Sequence, residues 1–101
     1  MDSTIFAILV ALSEGRRSAS TLLESLEAMD GGRAIAVATF YRRLNLALDA
    51  GWVAGHEEGV SGRGRPGKHY ALTEAGGAAM RAEAHRLQRL AGLALRGEAS
   101  R

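Results

Sequence analysis

The 101-residue sequence contains no cysteine, a single proline and only 5% aromatic residues. The lack of cysteine excludes disulfide bonds and thiolate metal sites, and it fits a reducing compartment. The three histidines are single and widely spaced, and no paired acids lie at the spacing of metal ligands. We therefore expect no metal site and no other cofactor. The low aromatic content gives no sign of an aromatic cage for a ligand.

Long apolar runs are also missing. The run from Ile5 to Leu12 has only eight residues and follows an acid, Asp2, so it suits neither a membrane span nor a signal peptide. We expect a cytoplasmic protein with no membrane partner. No serine or threonine lies in a pattern typical of a nucleophile with its base, and no glycine-rich loop opens a helix after a strand. These absences predict that the chain is not an enzyme.

The net charge is only +2, but the charges are unevenly distributed along the chain. Residues 60–72 contain three basic residues and no acid, whereas residues 20–30 contain three acids and no base. The basic residues of the first segment are Arg63, Arg65 and Lys68. A local basic patch of this kind is what an electrostatic contact with nucleic acid requires.

The central stretch, residues 35–50, has the pattern of an amphipathic helix. Its apolar residues recur on one side: Val37, Phe40, Leu44 and Ala47. Thr39, Arg42 and Arg43 fall on the opposite side. Because arginine pairs with guanine edges or phosphates, and because the hydroxyl groups of Thr39 and Tyr41 can hold phosphates, this helix suits the DNA major groove. The alternatives are a solvated amphipathic helix and, for Tyr41, a place in the core.

Two predicted helices precede the central helix, and a hairpin follows it. The helices lie at Ser3–Ser13, with Ser3 as the N-cap, and at Ser18–Met29. The second helix is expected to bury four residues: Leu22, Leu23, Leu26 and Met29. Gly51 ends the central helix as a left-handed C-cap, and two strands then enclose a glycine-rich basic loop at residues 59–67. Three helices followed by such a hairpin are typical of a winged helix-turn-helix domain.

The last predicted helix follows Thr73, its N-cap, and is about 35 Å long. Its apolar seam has a spacing close to a heptad repeat: Met80, Ala84, Leu87, Leu90, Ala91 and Ala94. Because the helix is too long to bury on so small a domain, we expect it to pack on a second copy; the alternative is packing on its own core.

Taken together, these elements predict a fold that is mainly α with a small β-hairpin (α+β). We expect a DNA-binding domain at residues 1–73. It is followed by a dimerisation helix at residues 74–97 and by a disordered tail at residues 98–101.

The sequence resembles the PadR family of bacterial transcriptional regulators from Ser3 to about Leu95. The resemblance rests on Ala38-Thr39-Phe40-Tyr41 with Leu44, on Asp49-Ala50-Gly51-Trp52-Val53, and on the hairpin Gly64-Arg65-Pro66-Gly67-Lys68-His69-Tyr70 with its exit Ala71-Leu72-Thr73-Glu74-Ala75-Gly76. It implies a homodimeric repressor whose third helix enters the major groove, whose hairpin (the wing) reaches the flanking DNA, and whose last helix dimerises. It also implies that Thr39 and Tyr41 contact the DNA backbone, whereas the basic residues of the wing match the family only in type.

The chain departs from the family pattern at three places. Ala38 replaces a glycine, and Arg17–Ser20 replace a His-Gly-Tyr motif. Leu46 and Leu48, which we expect to be exposed, lie near a position where the family usually has a charged residue. The sequence therefore predicts a dimeric, sequence-specific regulator of transcription, with a double-stranded DNA operator as its partner. Two alternatives stay open. One is a protein-interaction module that uses Leu46 and Leu48, and the other is a regulator with a small-molecule effector at the dimer seam.

Overall fold

The computed structural model describes residues 1–61 and 65–99, with side chains described for residues 1–57 and 68–97. Four helices and three strands make up this described part of the chain. In chain order, the elements are α1 (Ser3–Leu12), β1 (Arg17–Ser18), α2 (Ala19–Met29), α3 (Val37–Asp49), β2 (Val53–Ser61), β3 (Arg65–Leu72) and α4 (Glu74–Ala99). The predicted α+β architecture, three helices followed by a hairpin and a last helix, is therefore confirmed.

The first helix is the centre of the core. It contacts α2, α3, α4 and β3, and its residues Ile8 and Leu9 are fully buried. The other large, fully buried side chains come from α2 and α3: Leu22, Leu26, Phe40 and Leu44. Because α1 has apolar residues on more than one side, it can hold α2 and α3 together while the sheet closes one end. The core fixes the position of α3, the helix that carries the candidate site.

Side-chain oxygens cap three of the four helices. Asp2, and not Ser3 as predicted, caps α1, since its Oδ1 accepts hydrogen bonds from the backbone N–H groups of Thr4 (2.9 Å) and Ile5 (3.0 Å). The helix begins at Ser3, so the cap lies one residue earlier in the sequence. Ser18 caps α2 by accepting from the N–H of Thr21.

The sheet is larger than the predicted hairpin. Its order is β1-β3-β2, and all pairs are antiparallel. Strands β2 and β3 extend to Ser61 and from Arg65, so most of the predicted loop at residues 59–67 is strand, and that prediction is wrong. Strand β1 was not predicted because two residues are too short to show an alternating pattern, and its pairing depends on the distant β3. The connection at residues 62–64 lies outside the described residues.

Three predicted burial assignments are wrong. Val37 is 57% exposed and Met29 is 47% exposed, whereas Leu48, expected on the surface, packs against the core. Val37 is the first residue of α3 and Met29 the last residue of α2, so both lie where their helices leave the core. The last helix continues to Ala99, past the predicted end at residue 97, and residues 100–101 lie outside the described part of the chain.

Helix α4 begins in close contact with the turn that follows α3. The Thr73 hydroxyl accepts a hydrogen bond from the N–H of Gly76 (3.0 Å) and donates one to the carbonyl O of Gly51 (2.6 Å). The Thr73 N–H donates to the carbonyl O of Trp52. Gly76 is buried, and a Cβ built on it would overlap that same carbonyl. Glycine at this position therefore permits the close approach of α4 to Trp52.

We predict that Gly76→Ala and Gly92→Ala, two identical changes in one helix, alter stability in opposite directions. Gly76→Ala is expected to lower the free energy of unfolding by about 1–3 kcal/mol, because the backbone at Trp52 must shift. Gly92 is exposed with nothing within 4 Å, so its change to alanine is expected to raise that free energy by up to about 1 kcal/mol. Urea denaturation of both variants tests this, and equal effects would contradict the close contact.

Candidate nucleic-acid interface

The inner face of α3 is anchored in the core. Phe40, Leu44 and Ala47 are buried, which leaves the opposite face of the helix directed outward. The helix ends at Asp49, and Gly51 in the turn that follows has the left-handed conformation predicted for it, with a φ of +78°. The N–H groups of Gly51 and Trp52 donate to the carbonyls of Leu48 and Ala47, which is the Schellman arrangement. The outer face is therefore held at a fixed angle to the rest of the domain.

Four residues form an exposed stripe along the middle of this outer face: Ala38, Arg42, Asn45 and Asp49. At about 100° per residue they lie within about 60° of one another around the helix axis. Among the described residues, neither Arg42 nor Asn45 has a hydrogen-bond or ion-pair partner. The predicted site included Arg42 but not Asn45, although Asn45 lies three residues after Arg42 and could have been found from that spacing.

Two hydroxylated residues flank the stripe. Tyr41 is 44% exposed, and its ring packs edge-to-face on the buried ring of Phe40, with the centroids 5.2 Å apart. The alternative that places Tyr41 in the core is therefore wrong. Thr39 is half-buried on the other side of the stripe, near the start of the helix. The N-cap, Ala36, supplies no side-chain hydrogen bond to the first turn of α3.

Arg43 differs from its neighbour Arg42 because it has a partner. Its Nε donates a hydrogen bond to Oδ2 of Asp2 at 3.2 Å, and its side chain is half-buried. Burial raises the pKa of Asp2, but the hydrogen bond from Ile5 and the positive charge of Arg43 outweigh this effect, so the pKa of Asp2 is lowered overall. The cap of α1 thus also holds a side chain of α3.

The structure describes only part of the predicted basic wing. Lys68 lies on β3 opposite Glu57 of β2, is exposed, and has its Nζ 5.7 Å from the centre of the Tyr70 ring. Arg65 begins β3, but its side chain lies outside the described part of the chain, and so does the whole of Arg63. The hairpin begins directly after the turn that follows α3, so the helix and the wing are consecutive in the chain.

The predicted apolar seam of α4 is largely exposed. Met80 is half-buried and packs against the chain's own core, but the seam residues from Ala84 onward are on the surface: Ala84, Leu87, Leu90, Ala91 and Ala94. Glu83 is buried between these two parts and accepts two hydrogen bonds of 2.8 Å from Arg86. These bonds lower the pKa of Glu83 to about 2. The base of α4 therefore belongs to the domain, and the rest extends away from it.

Other kinds of site find little support in the described part of the chain. Among those residues, no group of three or more histidines and acids could hold a metal ion. None of their helices has the length and apolar character needed to cross a membrane. A groove of about 280 Å³ lies between α1, the end of α2 and Ile35. Its lining includes Ala7, Leu26 and Met29, and it lies away from the seam of α4.

The arrangement of α1–α3 with the β2–β3 hairpin is that of a winged helix-turn-helix protein. Residues 8–82 match the family described as "Transcriptional regulator PadR-like family". This match spans most of the sequence, so the chain belongs to the PadR-like family of transcriptional regulators. No curated protein matches the sequence.

Solved structures agree with the fold. A transcriptional regulator from Thermoplasma acidophilum is 21% identical, with a TM-score of 0.78 over 89% of this chain and 84% of that one. A PadR-family regulator from Clostridium difficile is 12% identical, with a TM-score of 0.78 over 91% of this chain and 94% of that one. Bacillus subtilis PadR, solved in complex with operator DNA, is 22% identical, with a TM-score of 0.69 over 80% of this chain and 46% of that one.

We predict that Asp2→Ala destabilises the domain more than Asp2→Asn does. Asparagine still caps α1 and loses only the charge, whereas alanine loses both the cap and the ion pair. We expect a loss of about 1 kcal/mol for alanine and of a few tenths for asparagine, because the pair is partly exposed and screened by solvent. Thermal or urea unfolding measures both values, and equal losses would show that the cap is not the main contribution.

The same variants test the lowered pKa of Asp2. Because the carboxylate is favoured in the folded chain, its contribution is present above the ordinary pKa of 3.8 and is lost as the pH falls below it. Asp2→Asn is therefore expected to lose less stability than the wild type between about pH 5 and pH 3. An identical pH dependence in the two proteins would contradict this assignment.

Proposed function

We propose that this chain is a dimeric, sequence-specific DNA-binding repressor that acts in the cytoplasm. The observation that carries the proposal is the exposed stripe of α3, which presents Arg42 and Asn45 without partners among the described residues while the opposite face of the helix is buried. A rigid helix with a free arginine on its outer face fits the width of the DNA major groove. Membership of a family of transcriptional regulators supports this use.

In this proposal, α3 lies in the major groove with its first turn toward the phosphates. Thr39 and Tyr41 donate hydrogen bonds to the DNA backbone, and the backbone N–H groups after Ala36, which lack a side-chain cap, face the same phosphates. Arg42 contacts a base edge. Arg43, whose Nε is engaged by Asp2, offers its remaining N–H groups to a phosphate or a guanine at the edge of the contact.

The wing contributes the flanking contact. Arg63 and Arg65 near its tip, and Lys68 further along β3, are proposed to bind phosphates or the minor groove beside the half-site. The nearby Glu57 partly balances the charge of Lys68, so the two arginines are expected to contribute more to affinity than the lysine does.

The exposed part of α4 is proposed to form the dimer interface. A second copy would cover the apolar surface formed by Ala84, Leu87, Leu90, Ala91 and Ala94. Met80, at the base of the helix, lies next to this surface and packs against the core of its own protomer. Two copies of α3 would then read two half-sites about one helical turn of DNA apart.

The two alternative functions have weaker support. The protein-interaction module depended on Leu46 and Leu48 as one exposed surface, but Leu48 packs against the core and leaves Leu46 without this neighbour. The effector site was expected at the dimer seam, whereas the 280 Å³ groove lies between α1 and α2. A groove on α4 is lined by residues away from the seam: Gln88, Arg89, Gly92, Leu93 and Arg96. Neither alternative therefore replaces the DNA-binding proposal.

We predict that the affinity of the protein for random duplex DNA falls steeply with salt, and that Arg63→Ala/Arg65→Ala makes this dependence shallower. Removing one phosphate contact is expected to reduce the slope of log K against log salt by about 0.9. Fluorescence anisotropy across a salt series measures the slope. The matched control is Arg81→Ala/Arg89→Ala, which removes the same charge from exposed positions of α4 away from its seam.

The control separates a local contact from the effect of net charge. A slope that changes only in the wing variant supports the wing as a phosphate contact, whereas an equal change in both variants assigns the effect to overall charge. If the wild type does not bind DNA even at low salt, the repressor proposal fails.

We predict that Leu87→Glu dissociates the dimer and that Leu93→Glu does not. The two leucines are both exposed on α4, but they lie about 120° apart around its axis, and only Leu87 is on the seam. A charge at the seam would be buried without a partner in the dimer. Sedimentation equilibrium at micromolar concentration measures the mass. A dimer that survives Leu87→Glu but not Leu93→Glu would place the interface on another face.

A further inference from the structure

Asn45 is the one uncharged residue of the exposed stripe whose side chain has hydrogen-bonding capacity, and it has no part in the site predicted from sequence. It is exposed, and it makes no hydrogen bond within the described residues. Asparagine is uncommon in the middle of a helix because its amide competes for backbone groups, and the sequence contains no other asparagine. Its amide is thus free to contact an external group.

The spacing between Asn45 and Arg42 matches the spacing of stacked bases. Three residues of helix advance about 4.5 Å along the axis and turn the side chain by about 60°. Successive base pairs are about 3.4 Å apart. Two side chains on one helical face at this separation reach neighbouring base pairs when the helix lies along the major groove.

The ends of the exposed stripe limit where a base can be contacted. Ala38, one turn before Arg42, has only a methyl group, so the helix can approach the DNA closely there. Asp49, one turn after Asn45, is exposed and carries a negative charge that the phosphates repel. The contact with bases is therefore confined to the part of α3 between these two residues, where Arg42 and Asn45 lie.

We infer that Asn45 is a specificity-determining residue that recognises an adenine next to the base pair contacted by Arg42. An asparagine amide matches the major-groove edge of adenine, since its N–H donates to N7 and its carbonyl accepts from the N6 amino group. Arginine matches guanine by donating to O6 and N7. Each half-site would thus contain an adenine beside a guanine. This inference rests on the proposed DNA-binding function.

The experiment begins with selection of binding sites from a randomised duplex by the wild-type protein, Asn45→Ala and Asn45→Asp. The wild type is expected to select an adenine at one position of each half-site. Asn45→Ala is expected to lose this preference, with the affinity for the selected site falling by about 5- to 150-fold. Asn45→Asp can accept from the N4 amino group of cytosine but cannot donate to adenine N7, so the preference is expected to move toward cytosine.

A modified duplex tests the atom itself. Replacing the selected adenine by 7-deazaadenine removes the N7 acceptor and leaves base pairing unchanged. The wild type is expected to bind this duplex more weakly than the natural one, whereas Asn45→Ala binds the two duplexes equally. An equal loss in both proteins would overturn the inference, because the contact with N7 would then come from another residue.

Two controls separate the possible failures. His85→Ala, a change at an exposed position of α4 away from the seam, should leave the selected sequence unchanged. Thermal unfolding should show no loss of stability in either Asn45 variant, because the side chain makes no hydrogen bond or ion pair among the described residues and alanine favours the helix more than asparagine does. If the wild type selects a sequence and Asn45→Ala selects the same one, the inference is wrong and the proposed function stands. If the wild type selects none, the proposed function fails.

Discussion

The contact between Thr73 and the turn at Gly51 is the interaction on which the relative placement of the functional elements depends. The Thr73 hydroxyl forms hydrogen bonds with the turn after α3 and with the first turn of α4. The Thr73 N–H also donates to the carbonyl of Trp52, the residue before β2. Gly76 permits this approach because it has no Cβ. Because the elements meet at one point, the proposed DNA-contacting helix, the wing and the proposed dimer helix keep fixed mutual angles. In a dimer, those angles determine the distance between the two copies of α3.

Electrostatic pairing gives two adjacent arginines different surroundings. Arg42 and Arg43 are chemically identical and lie next to each other on α3, but only Arg43 meets a carboxylate, that of Asp2. The pair neutralises Arg43 and fixes one of its nitrogens, whereas Arg42 keeps its full charge and all its donors. An unpaired positive charge contributes to affinity for the negatively charged DNA, and free N–H donors can select among base pairs. The free arginine and its neighbour one turn away, Asn45, are therefore the better candidates for contact with bases.

Local sequence patterns predicted the helices, their order and the left-handed turn at Gly51, because apolar periodicity and a glycine C-cap act over a few residues. Contacts between distant residues were not predictable in this way. The pairing of β1 with β3, the packing of Leu48 against the core and the hydrogen bond from Arg43 to Asp2 each join residues that are far apart in sequence. Asn45 has neither a positive charge nor a hydroxyl group, which are the two features that mark the predicted DNA-contacting residues in the sequence.

The length of α4 connects folding with assembly. Its 26 residues correspond to about 39 Å of helix, yet only the first part packs on the domain, and the longest dimension of the protomer reaches 62 Å. A helix that projects into water with exposed leucines has little to stabilise it beyond its own hydrogen bonds, and such helices are marginal alone. In the proposed dimer, the partner would supply the missing apolar contacts. Formation of the outer half of α4 would then depend on protein concentration, and so would the pairing of two DNA-contacting helices.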